Sequence, residues 1–95
     1  MTIDEILETL QARKANLRCD ELSRLLESLG FVVERVKKGN HKKVKHHGLE
    51  GFPGSGFDCG HGRNPKVKPG YANKMKHLIL DYRSEMEEYL EREND

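Results

Sequence analysis

Between two stretches of helical apolar rhythm lies a single run of β-branched residues, Phe31-Val32-Val33-Glu34-Arg35-Val36-Lys37, and Gly39-Asn40 follows it almost at once. β-Branched side chains suit a pleated, half-buried surface, and a Gly-Asn pair can reverse the chain. Residues 41 to 47 are therefore expected to return as the partner strand of a hairpin. Alternation along that strand puts Lys42, Val44 and His46 on one face and His41, Lys43, Lys45 and His47 on the other. Val44 is the apolar member, so its face should meet the helices and leave His41 on the open face among lysines.

The flanking segments supply those helices. Thr2-Ile3-Asp4-Glu5 fits a capping box, and Ile3, Ile6, Leu7 and Leu10 recur at i, i+3, i+4, i+7, which predicts a first helix to about Lys14. Leu22, Leu25, Leu26 and Leu29 trace one face of a second helix, begun near Asp20 and stopped by Gly30. Met75, Leu78, Ile79, Tyr82, Met86, Tyr89 and Leu90 keep a 3.6-residue period that predicts one last helix from Pro69-Gly70 to the end of the chain. Eight of the nine glycines fall between positions 39 and 70. Gly48 to Ser55 accordingly reads as a loop, Gly56-Phe57-Asp58-Cys59-Gly60 as a short third strand, and Gly60 to Pro65 as an irregular connection.

The expected fold is α+β: a three-stranded antiparallel sheet with helices packed on one face, plus an extra N-terminal helix. Ninety-five residues make one domain, 1–95, with residues 1–16 as a helical extension and 17–92 as the core. Charged and apolar residues each make up 35% of the chain, so the core should be thin, and a partner subunit or homo-oligomer would complete it. Cys19 and Cys59 form no CxxC pair and the start resembles no secretory signal, which sets a reducing cytoplasm as the expectation. No apolar run approaches the roughly 20 residues that cross a bilayer, so a soluble protein with no membrane contact is expected.

The formal net charge of +1 conceals three unlike parts. Residues 1–30 carry net −2, residues 31–77 net +8 and residues 78–95 net −5. Between positions 37 and 47 alone stand five lysines and three histidines. Ammonium groups hold phosphate through counterion release, and an imidazole titrates near neutral pH. Such a segment points to a site that binds a polyanion, nucleic acid above all, and can move a proton there. The plainer reading is a solvated lysine-rich hairpin.

The ordered set of motifs resembles the HicA family, small toxins of bacterial and archaeal toxin–antitoxin pairs. Leu22-Leu25-Leu26-x-x-Leu29-Gly30-Phe31 precedes the hairpin, Lys38-Gly39-Asn40-His41 stands where the family has a basic residue and Gly-Ser-His, and Cys59-Gly60-His61 is the nearest match to its Pro-x-His element. The resemblance covers roughly residues 17 to 90 and departs from the family at Asn40, at the lost proline and in the longer Gly-rich loop. It implies an αβββα fold like that of double-stranded-RNA-binding domains, endoribonuclease (mRNA interferase) activity, a HicB-like antitoxin partner, and a catalytic role for His41.

Chemically, cleavage requires a base that takes the 2′-hydroxyl proton. Neutral His41 suits that task, its lysine neighbours opposing protonation, and no metal or other cofactor is required. Lys37, Lys38, Lys43 and Lys45 are the candidate phosphate contacts, His61 and His47 the candidate acid/base partners, and Gly39 and Asn40 the turn. A zinc site from Cys59, His61 and a hairpin histidine lacks the usual ligand spacing. The alternative functions are a non-catalytic double-stranded-RNA-binding module and a protein whose main role is complex formation.

Overall fold

The computed structural model describes residues 1–36 and 39–93. Its elements are α1 (Ile3–Ala12), α2 (Cys19–Glu27), β1 (Val32–Arg35), β2 (His41–Lys45), β3 (Ser55–Asp58), α3 (Tyr71–Asp81) and α4 (Arg83–Glu93). The fold is α+β, with one antiparallel sheet in the order β1-β2-β3.

Local chemistry sets the helix ends. The Thr2 hydroxyl accepts from the Glu5 N–H (3.1 Å) and the Glu5 carboxylate accepts from the Thr2 N–H (2.8 Å), the reciprocal capping box the sequence predicts. At the end of α2, Phe31 N–H reaches the Leu26 carbonyl and Gly30 N–H the Glu27 carbonyl. Gly30 sits at φ 92°, the left-handed conformation that lets both bonds form.

Val44 and Phe57 are fully buried on the helix-facing side of the sheet, whereas His41, Lys43 and Lys45 are exposed on the other, as alternation requires. The core continues through Leu22, Leu26 and Leu29 of the α2 segment, Met75 and Ile79 of α3, and Ile6 and Leu10 of α1. Helix α1 packs against α3 as part of this same core, and Arg83 at the start of α4 bonds Asp4 of α1 at 2.8 Å. Among the described residues only Met1 and Leu80 are large exposed hydrophobics, so a thin composition still closes one core.

Two features differ from the sequence expectation. The last helix is interrupted at Tyr82 (φ −109°, ψ 15°), giving α3 and α4 where one helix was expected. Because Met86 stays in phase with Met75 and Ile79, the apolar rhythm runs through the break without recording it. The Tyr82 ring meets Phe52 edge-on at 5.3 Å, which ties the break to the Gly-rich loop.

The second difference lies in how the connection is held: Gly60 to Pro65 is irregular, as expected, but the chain on either side of it is pinned, so that it forms a strap beside the start of α2. Val67 N–H bonds Leu17 O, Gly60 N–H bonds Lys66 O, and Lys68 N–H bonds Asp58 O, all within 2.8–2.9 Å. A disulfide joins Cys19 at the start of α2 to Cys59 just past β3, with Cα atoms 6.0 Å apart. A separation of 40 residues gives no hint of that bond; only the folded strap brings the two sulfurs together.

Candidate active site at the hairpin end of the sheet

Register determines what faces His41. Strands β2 and β3 pair His41 with Asp58 and Lys43 with Gly56, so each pair shares the open face. His41 Nδ1 lies 2.6 Å from Asp58 Oδ1. The other carboxylate oxygen, Oδ2, accepts from the Tyr71 hydroxyl at 3.0 Å, with Tyr71 the first residue of α3. Hydrogen bonds from His41 and then from Tyr71 hold the Asp58 carboxyl below the usual aspartate range. The nearest charge to His41 is thus a carboxylate, where the sequence offered only lysines.

Space for the ring comes from Gly56. A Cβ there would stand 2.6 Å from His41 Nε2 and 2.7 Å from Cε1, so the imidazole lies directly over the bare glycine. About 45% of the His41 side-chain surface remains open to solvent. Lys74, one turn along α3, donates to the Gly56 carbonyl at 3.3 Å and sits 5.4 Å from the centre of the Tyr71 ring. Through Tyr71 and Lys74, the first turns of α3 reach both ends of β3.

Of the residues singled out in the sequence, some converge and others do not. Gly39 turns the hairpin at φ 85°, and Asn40 beside it donates from Nδ2 to His61 Nδ1 at 2.9 Å. His61 therefore joins His41 at a shallow hollow of about 450 Å³, which Asn40, Asp58 and Lys68 also line. In this arrangement His61 Nδ1 is an acceptor and Nε2 carries the proton. Service as an acid would require the Asn40 amide to turn and present its oxygen.

His47 does not join them. It follows the far end of β2, and a rise of about 3.3 Å per residue separates it from His41 by on the order of 15–20 Å. Lys43 shares the open face with His41, whereas Lys45 is paired with Glu34 at 3.2 Å. Lys37 and Lys38 lie outside the described residues.

Sequence reasoning missed Asp58, Tyr71, Gly56 and two cations, Lys68 and Lys74. A cross-strand register for β3 would have revealed Asp58. Tyr71 and the lysines depend on where α3 begins relative to that strand, which no local pattern encodes. Cys59, half of the conceivable zinc pair, is committed to the disulfide. Among the described residues no three His, Cys, Asp or Glu side chains converge as metal ligands, and no helix is long and apolar enough to cross a membrane.

No family model matches the chain, and neither a curated protein nor a solved structure matches it.

Proposed function

We propose that this chain is a metal-independent endoribonuclease of the HicA-like type, cutting RNA by transfer of the 2′-hydroxyl proton to His41. A solvent-open imidazole on the uncovered face of the sheet carries the reading: it is bonded to the Asp58 carboxylate, with Lys43 on the same strand face and Lys68 lining the same hollow. In the reaction His41 takes the 2′-hydroxyl proton, the 2′-oxygen forms a bond to phosphorus, and the bond from phosphorus to the 5′-oxygen breaks. The leaving oxygen takes a proton from His61 or from water. Lys43 and Lys68 are the cations placed to offset charge developing on the phosphate, an effect worth a few kcal/mol per well-aimed donor.

A HicB-like antitoxin partner is part of the same proposal, since a protein laid on the open sheet face would cover His41. Cytoplasmic RNA is the natural substrate of such an enzyme. That compartment is reducing, so trapping thiols in intact cells tests the location: free Cys19 and Cys59 agree with it, and an intact Cys19–Cys59 bond argues against it.

The test compares purified wild-type chain with His41→Ala on a folded RNA in the presence of EDTA. Because the side chain is half exposed, its removal should leave the fold intact. Wild type is expected to cut and the variant to bind with similar affinity but cut at least about 100-fold more slowly. Binding without cutting in both would replace the enzyme with an RNA-holding module. No binding in either would leave complex formation as the role.

A further inference from the structure

We infer that Asp58, itself aimed by Tyr71, is a positioning residue that holds the His41 imidazole with its proton on Nδ1 and its unprotonated Nε2 over Gly56. This deepens the nuclease reading and rests on it for its catalytic meaning, but the tautomer can be observed without any activity.

Donors and acceptors fix the tautomer. An ionised carboxylate only accepts hydrogen bonds, so the ring nitrogen 2.6 Å from Asp58 Oδ1 must be the one that carries hydrogen. A neutral imidazole has one proton, so Nε2 is left as the proton acceptor. Asp58 cannot readily rotate away, because Oδ2 is held by the Tyr71 hydroxyl. The lowered carboxyl pKa, caused first by the His41 bond and then by the Tyr71 bond, keeps the group ionised and therefore accepting.

The second half of the device is steric. The ring could not lie where it does above any residue larger than glycine, since a Cβ at position 56 falls within 2.7 Å of two ring atoms. It would also approach the Lys42 carbonyl to 2.9 Å, and that backbone atom cannot swing aside. Gly56 and Asp58 thus fix the ring from below and from its Nδ1 side, and Tyr71 fixes Asp58. A surface ion pair between exposed side chains needs neither the tyrosine nor the bare glycine. Both are present at His41, the one imidazole on the open face that has a carboxylate against it among the described residues.

Imidazole ¹⁵N spectra of the full chain, taken at a pH where His41 is neutral, test the inference directly. Wild type should show the Nδ1–H tautomer at His41. Asp58→Ala should revert to the Nε2–H form that free histidine prefers, and Tyr71→Phe should show a mixture. On RNA, Asp58→Asn is expected to lower kcat by about 10- to 10⁴-fold while KM stays within about twofold, because Asp58 acts through His41 and not on substrate. Asp58→Asn is nearly isosteric, so it keeps the comparison usable if Asp58→Ala unfolds. A wild-type Nε2–H tautomer, or an unchanged one in Asp58→Ala, overturns the inference. If the tautomer behaves as stated but wild type leaves RNA intact, the positioning stands and the nuclease reading alone fails.

Discussion

Two histidines five positions apart on β2 and its continuation, His41 and His46, meet opposite environments. His46 is buried, donates from Nε2 to the Leu29 carbonyl at 2.9 Å and accepts the Gly48 N–H at Nδ1. Phe31 and Tyr89 close edge-on against its ring, each at 4.7 Å. Desolvation pushes its pKa below the ordinary histidine value, the bond to Leu29 opposing only in part. Protonation would also place a hydrogen where the Gly48 N–H points. Above pH of about 6.5, both folded and unfolded chains hold this ring neutral and it contributes no pH dependence. As pH falls below that value the unfolded chain takes up a proton that the folded one refuses, so stability declines until the folded pKa is passed, by at most about 1.4 kcal/mol per pH unit. Denaturant titrations at pH 7.5 and 5.5 should show this loss in wild type and a smaller one in His46→Gln. Equal losses in both proteins would assign the effect elsewhere.

At the scale of elements, α4 is docked through close approach rather than through a broad apolar face. Met86 is its one fully buried residue, and Tyr89 fills the space over Gly30 and Gly48. A Cβ at Gly48 would collide with the Tyr89 ring, so Gly48→Ala should displace the tyrosine and loosen α4, at a cost of about 1–3 kcal/mol. Thermal melts of the variant, with proteolysis mapped to residues 83–93, check both parts. A stable variant with α4 still protected would contradict the packing described. The helices themselves were legible in the sequence because Leu22, Leu26 and Leu29, or Met75 and Ile79, repeat with the period of an α-helix. The break at Tyr82 was not legible, because it carries neither Gly nor Pro and keeps the phase of the stripe.

For the whole molecule, the disulfide closes a loop of 40 residues and ties α2 to the strand end that carries Asp58. Chain-entropy reasoning puts its contribution near 4 kcal/mol, a large share of the roughly 5–15 kcal/mol that holds a domain folded. Cys19→Ser, or wild type in reductant, should melt about 15–30 °C lower than the oxidised chain. A melt insensitive to reductant would show the bond to be absent in solution. The sheet and its open face could be read from Val44 and the Gly39-Asn40 turn, and His41 was placed correctly on that face. The partners that give the ring its setting could not be read, since Asp58, Tyr71 and Gly56 meet it only through strand register and the start of α3. Whether His41 drives attack by the 2′-hydroxyl is tested most directly by the chemistry of the cut ends. With EDTA present, wild-type products should carry a 2′,3′-cyclic phosphate and a free 5′-hydroxyl, and an RNA with a 2′-deoxy residue at the cut position should survive. Products ending in 5′-phosphate, or cleavage of the deoxy-substituted site, would contradict the account.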